Sequence, residues 1–339
     1  MLKKKLEKFD NQNVQEVHIS YESAKKLKEA FSHLRMGNDE EWLNVKEWLG
    51  NITKHYLNDE IVNIIGGFKL NDNQCALIIR GLPIDTNLCA TPYSGYIPPS
   101  KISLATALNI GIYQLANVEP VSYQNENEGF LFRHVVPAKN ALNERSSHGS
   151  IHTFGHHVDN PDLPLACEKV SEKSGCPEFL SLMALRSDLK VRSNFILVDD
   201  LVKQLSGGVI KELCEPNFRI NRPDSFGQSC SSILPILVTR KDGVIFCRYD
   251  KENTTPLTER AAAALVMLEA QLNNELLKQY VVYQPGDLLI IKNQRVVHSR
   301  EGFQARCDGA DRWLVRLFGM SSLDRIVPVA SELRHIGKD

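Results

Sequence analysis

The stretch QPGDLLIIKNQRVVHSREGFQARCDGADRWLVRLFG, residues 284–319, decides how the chain folds. Pro285, Gly286 and Asp287 form a turn signal that feeds a short apolar strand over 288–291. A polar stretch then delivers His298, and a polar loop, 301–311, leads to Arg312, Trp313, Leu314, Val315 and Arg316. Side chains alternate along a strand, so that last run puts Arg312, Leu314 and Arg316 on one face. Two arginines and a histidine aimed from strands at one place predict a site that holds anions beside a metal.

Working outward, short strands are expected over 129–136, 179–185, 195–198, 233–239 and 244–249, and again within 280–298 and 312–319. An alanine-rich helix interrupts them at 258–277, with Pro256 and Thr258 as brake and cap at its start. Short strands at fairly even spacing with turn signals predict a mainly β core, either a sandwich or a double-sheet barrel. Ahead of it the spacing of Ala24, Leu27, Ala30, Phe31 and Leu34 predicts an amphipathic helix, and 42–57 reads similarly. A buried strand over 76–79 with a Gly-Leu-Pro exit and a helix over 103–117 complete this part. The expected organisation is a single domain: a mostly helical wrap (1–117), a β core (118–320) and a C-terminal tail (321–339).

The 339 residues, 42% hydrophobic and 24% charged, describe an ordinary globular protein. A formal net charge of −1 gives no basic field to attract nucleic acid or anionic lipid. No apolar run approaches the roughly 18 residues of a membrane span. The start, MLKKKLEKFDNQ, is basic with no apolar stretch behind it, so it is expected to be a solvated start and not a secretory signal. The eight cysteines include no C-x-x-C pair, which argues against a zinc ribbon or redox motif and for reduced thiols in a cytoplasmic protein. Cys167 and Cys176 flank one loop and are the pair that oxidation would join. No Gly-rich phosphate loop is present, so nucleotide binding of the usual kinds is not expected.

The second focus is GSIHTFGHHVDNPDLPL, residues 149–165. One residue separates His157 from Asp159, so an extended strand projects both from the same face. With His298 from a distant strand they make two histidines and one carboxylate, the facial triad of non-haem Fe(II) oxygenases, with positions left open. His152 and His156 are competitors, but neither has a carboxylate two residues on, and His156 should face the other way. An oxygenase that consumes 2-oxoglutarate must also hold that molecule's far carboxylate, which suits the planar fork of an arginine. Arg312, fourteen residues beyond His298 and embedded in the apolar RWLVRLF, meets that need better than it suits a surface salt bridge.

These residues together resemble the clavaminate-synthase-like family of Fe(II)/2-oxoglutarate oxygenases, in the branch that hydroxylates free arginine, asparagine and lysine. The resemblance covers roughly 75–320. It rests on LIIRGLPID, on GFLFRHVVP (129–137), on His157-Val158-Asp159, on FCRYD (246–250), and on PGDLLIIKNQRVVHSR followed by DGADRWLVR. It implies a double-stranded β-helix, or jelly roll, with helices outside. It also implies that Fe(II), 2-oxoglutarate and O2 are used and that succinate and CO2 are released.

Residue by residue, the resemblance makes His157, Asp159 and His298 the iron ligands. Arg312 would hold the 2-oxoglutarate side carboxylate, and Arg316 the substrate's α-carboxylate. The strand ending at Asp250 carries acidic groups in arginine-hydroxylating relatives. Here Asp250 and Glu252 suit a cation, which favours L-lysine, then L-arginine, hydroxylated at C3 or C4. The substrate amine would meet Gln124, Glu126 or Glu128, with Glu126 preferred. Two departures stand out. Asp159 replaces the Glu of many relatives. A family threonine beside 2-oxoglutarate has no counterpart near Ile196, and Ser193 is the substitute. The long link 160–176, or 214–232, is the expected lid. The alternatives are a carrier- or peptide-bound substrate, a non-catalytic jelly-roll binding protein, and a zinc hydrolase. The last would need a general base near the metal and has no use for Arg312.

Overall fold

The computed structural model describes residues 13–223 and 230–339. Lys3, Lys4 and Lys5, read above as a solvated start, lie outside the described residues. The chain lays down β1 (Val14–His18), then α1 (Tyr21–Phe31), α2 (Asp39–Asn44), α3 (Lys46–Tyr56) and α4 (Asp59–Phe68), before β2 (Ala76–Arg80) and α5 (Ser103–Leu115). Strands β3 (Glu119–Tyr123), β4 (Phe132–Val135), β5 (Phe154–His157), β6 (Phe179–Arg186) and β7 (Ser193–Leu197) follow. After α6 (Val198–Lys203) and α7 (Gly207–Leu213) come β8 (Phe218–Asn221), β9 (Ser231–Leu234), β10 (Leu237–Thr239), β11 (Ile245–Cys247) and β12 (Thr254–Pro256). Helix α8 (Glu259–Leu272) leads to β13 (Gln279–Val281), β14 (Leu288–Lys292), β15 (Val296–Arg300), β16 (Trp313–Met320) and β17 (Ile336–Gly337).

The larger sheet runs β1-β2-β14-β6-β16-β3-β17, with β4 also paired to β16, and the smaller runs β13-β7-β15-β5. Alternation along the strands builds two cores. Leu77, Ile79, Leu288, Ile290, Trp313, Val315 and Leu317 pack against helical residues such as Leu27, Leu49, Ile65 and Leu108. Their neighbours Ile78, Leu289, Ile291 and Leu314 face the opposite way and meet Phe195, Ile196, Val296 and Val297 of the smaller sheet. One sheet face is thus closed by helices and the other by a second sheet, which is the jelly-roll core with outer helices that the resemblance implied. No helix among the described residues is long and apolar enough to cross a membrane.

Several expected boundaries move, each for a physical reason. The strand expected over 233–239 divides at Pro235, which has no N–H to give a ladder, into β9 and β10 in different sheets. The strand expected over 195–198 begins at Ser193, and Val198 already opens α6. The helix expected over 42–57 breaks at Val45 (φ −106°, ψ 10°) into α2 and α3. Helix α8 is capped by the Thr258 side chain, as expected, but stops at Leu272, short of 277. The strand expected from 129 starts at Phe132, after Asn127, Glu128 and Gly129 take positive φ. The boundary at 117 does not separate helix from sheet, because β1 and β2 join the larger sheet, and the tail adds β17 beside β3. Residues 160–176, expected as a lid, are tied to the body of the protein: Arg248 donates to Pro161 O and Leu163 O, Arg325 donates to Leu165 O, and Asp162 pairs with Arg222 in the interior. All eight cysteines are free, Cys167 and Cys176 included.

The turn at Pro285-Gly286-Asp287 sets the entry of β14. Gly286 has φ +90°, and a Cβ there would lie 2.1 Å from Leu82 O. The Gly286 N–H donates to Ala184 O, and its carbonyl accepts from Leu82 N, so the backbone cannot move aside. Gly286→Ala should cost about 3 kcal/mol of stability. An unchanged denaturant midpoint in that variant would contradict this account of the turn.

Candidate active site

Strands β5 and β15 are neighbours, and His157 and His298 are direct cross-strand partners. Side chains so paired share a face, and the two rings stand 4.2 Å apart. Beyond β5 the Val158 N–H donates to Tyr249 O, which keeps the chain extended and returns Asp159 to the His157 side. Asn293 pins the Asp159 backbone, accepting from its N–H and donating to its carbonyl, both at 3.0 Å. One ligand atom from each of His157, Asp159 and His298 lies within 4.8 Å of the others.

The donor chemistry fits a divalent cation. His157 Nδ1–H donates to Gly155 O at 2.8 Å, which leaves Nε2 unprotonated and available. Burial lowers the His157 pKa to about 3, with the neighbouring His298 adding to the effect. For Asp159 burial works upward, but the contact with His298 and the charge of Arg316 outweigh it and hold the carboxyl well below its usual range. Asp159 Oδ2, 3.3 Å from His298 Nε2, is buried without a hydrogen-bond partner, as an open metal-binding position would be. His156 faces away, with Nε2 3.2 Å from Asn194 Oδ1, and His152 is exposed; neither joins the cluster.

Behind the triad, between the two sheets, lies an inner chamber lined by Arg312, Ser193, Tyr283, Leu182, Leu289 and Leu314. Arg312 immediately precedes β16 and does share a face with Leu314 and Arg316. Its Nη2 donates to Ser193 Oγ at 3.1 Å, and its guanidinium stands 5.7 Å from the Tyr283 ring centre. Burial pushes its pKa down to about 10, so it remains a cation at neutral pH. The Tyr283 hydroxyl is buried with no partner. A buried cation beside an unpaired hydroxyl, in a largely apolar chamber that Arg300 also lines and that opens on the triad, suits a small dianion.

Residues 198–318 match the model of the taurine catabolism dioxygenase TauD, TfdA family. The chain is 31% identical over 275 residues to an L-asparagine oxygenase from Streptomyces coelicolor, covering 77% of this chain and 76% of that protein. The chain is a clavaminate-synthase-like Fe(II)/2-oxoglutarate oxygenase. The oxygenase is also 27% identical over 280 residues to an L-lysine 3-hydroxylase from Catenulispora acidiphila, covering 78% and 70% of the two chains. It superposes on the crystal structure of an asparagine oxygenase in complex with Fe(II), 3-hydroxyasparagine and succinate with a TM-score of 0.81. There the identity is 26%, and 96% and 99% of the two chains are covered. The oxygenase therefore belongs among enzymes that use Fe(II), 2-oxoglutarate and O2 to hydroxylate amino acids.

In front of the triad the oxygenase has an outer chamber. Arg316 reaches it from β16, with Nη1 3.2 Å from Asp159 Oδ1 and Nη2 bonded to Glu126. Glu126 is buried and also accepts from Asn160 Nδ2 at 3.3 Å. Glu128 lines the same space but is exposed, and Gln124 is exposed outside it. Asp250 and Glu252 both line the chamber. Asp250 is bridged in backbone register to His157, and burial raises its pKa to about 6. Its oxygens accept from the Glu252 N–H and from Asn253 Nδ2. Glu252 is 3.3 Å from Arg145 Nη1. Sequence reasoning missed Asn293, Tyr283, Arg133 and Arg145. Each acquires its place only when distant segments meet, and none carries a local spacing signal.

Proposed function

We propose that this oxygenase hydroxylates C3 or C4 of a free basic L-amino acid, L-lysine first and L-arginine behind it. In this reading His157, Asp159 and His298 hold iron, and Arg312 with Ser193 holds the far carboxylate of 2-oxoglutarate. Arg316 takes the substrate's α-carboxylate, Glu126 its ammonium, and Asp250 with Glu252 the side-chain cation. The observation that carries a cationic substrate is the charge of the outer chamber. Six carboxylates line it (Glu126, Glu128, Glu144, Asp159, Asp250 and Glu252) against three arginines (Arg133, Arg145 and Arg316). His148, also on its wall, has its pKa lowered to about 4 by burial and adds no charge at neutral pH.

Bound Fe(II) supplies the oxidative chemistry, in which O2 and 2-oxoglutarate yield succinate, CO2 and one oxygen atom inserted into a C–H bond. The chain's own contribution is placement and exclusion of water. Leu182, Leu289 and Leu314 give the inner chamber an apolar wall beside Arg312, which lowers the local dielectric in which its charge acts. Arg316 and Glu126 are pre-paired, and a zwitterionic head group can insert between them, giving each an opposite charge in exchange. Asp250 keeps lone pairs beyond the two bonds it accepts within its own turn.

A second reading has its own support. Arg145 beside Glu252, and Asn253 beside Asp250, offer donors as well as acceptors, which suits the side-chain amide of L-asparagine. One assay separates the readings: Fe(II), 2-oxoglutarate and air with each free amino acid, reading succinate and a product heavier by one oxygen. A product from lysine or arginine is the expected result. A product from asparagine alone shifts the assignment to the amide, and succinate without any amino-acid product shifts it to a carrier- or peptide-bound residue.

A further inference from the structure

We propose that Arg133 joins Arg316 in clamping the substrate's α-carboxylate, so that the anion bridges two guanidinium groups. The inference rests on the amino-acid reading above and extends it to a residue that the sequence did not single out. Arg133 lies on β4 as the direct cross-strand partner of Arg316 on β16. Such partners stand on the same sheet face with their side chains adjacent, and both line the outer chamber.

Arg133 is only 6% exposed. Its Nε donates to Ser147 Oγ at 2.9 Å, and no carboxylate pairs with it among the described residues. A guanidinium carries five N–H donors, so most of its capacity is unspent where it faces the chamber. Glu126, Asp159 and Glu144 act on its charge from a distance, but a buried cation with no carboxylate in direct contact is costly unless a ligand supplies one. Burial, with Arg316 adding, lowers its pKa only to about 10, so the charge is present at neutral pH.

The fork of Arg316 is also crowded without Arg133. Arg316 already serves Glu126 and Asp159, and a substrate carboxylate resting on it alone would put three anions on one fork. With Arg133 added, a second guanidinium shares the α-carboxylate, and Arg316 keeps its contacts with Glu126 and Asp159. The contact of Arg316 with Asp159 sets that head group beside the triad, which brings the first methylenes of the side chain nearest the metal ligands.

The test compares L-lysine with L-lysinamide, or the equivalent acid and amide of whichever amino acid the screen selects, in wild type, Arg133→Gln and Arg133→Lys. Arg133→Gln should raise KM for the acid about 10- to 100-fold, with a smaller change in kcat. Its preference for acid over amide, as a ratio of kcat/KM values, should fall by the same factor, and that ratio does not depend on how much of the preparation is folded. Arg133→Lys keeps the charge but not the fork, and should retain part of the preference. Equal losses on acid and amide, or no change on either, would overturn the clamp while leaving the amino-acid reading intact. A wild-type enzyme that consumes 2-oxoglutarate but turns over no free amino acid would overturn that reading and the clamp with it.

Discussion

Replacing Asp159 with alanine should abolish succinate formation and saturable Fe(II) binding together. Loss of a partner that merely orients a metal ligand costs about 10- to 100-fold, and Asp159 is the carboxylate member of the triad itself. The expected loss in turnover is therefore more than about 10³-fold. Geometry gives the reason. Asp159 Oδ2 is a buried acceptor without a hydrogen-bond partner, 3.3 Å from His298 Nε2, while Oδ1 is engaged by Arg316. Alanine removes the anion from between two histidines and leaves Arg316 paired to Glu126 alone. Asp159→Glu, which restores the carboxylate that many relatives carry, should recover part of the turnover. Anaerobic titration with Fe(II) and a succinate assay read the two effects separately. An alanine variant that binds metal and turns over like wild type would sink the triad assignment.

The strands that carry the site were the most legible part of the chain. In RWLVRLF the alternation of period 2 is clean, and Trp313, Val315 and Leu317 do enter the helix-side core while Leu314 and Arg316 face the site. His157, Asp159 and His298 were legible for a related reason: two lie one residue apart, and the third follows, after a polar stretch, a strand with its own turn signal. Val14–His18 was harder, because its burial does not alternate and its identity as a strand comes from parallel pairing with β2, 62 residues on. Glu119–Tyr123 carries a proline and gains its ladder only at the sheet edge between β16 and β17. The lid expectation rested on length alone. Residues 160–176 form a long connection, but arginines 60 to 161 residues away in sequence hold it down. Of the other lid candidate, 214–232, residues 224–229 lie outside the described residues, and Pro223 lines the outer chamber. Arg133 shows the same limit from the functional side. Its meaning comes from standing opposite Arg316, and cross-strand register is a tertiary fact.

Replacing Arg312 with methionine should raise KM for 2-oxoglutarate by at least about 30-fold, because truncating one partner of a buried ion pair costs about 2–5 kcal/mol. Arg312 is buried, has Ser193 Oγ as its hydrogen-bond partner and pairs with no carboxylate among the described residues. Its charge is therefore unspent until a ligand carboxylate arrives. Methionine keeps much of the side-chain volume, so the apolar wall of Leu182, Leu289 and Leu314 should stay packed. The control is a 2-oxoacid that lacks the distal carboxylate, such as pyruvate. Wild type should prefer 2-oxoglutarate strongly, and the methionine variant should lose most of that preference while its metal affinity holds. Ser193→Ala removes only the neighbour that steadies the fork, and should cost about tenfold or less. If Arg312→Met instead weakened both 2-oxoacids equally, Arg312 would be acting on the chamber's packing, and the distal carboxylate would need another partner. Tyr283, whose buried hydroxyl faces the same chamber without a hydrogen bond, would then be the residue to replace next.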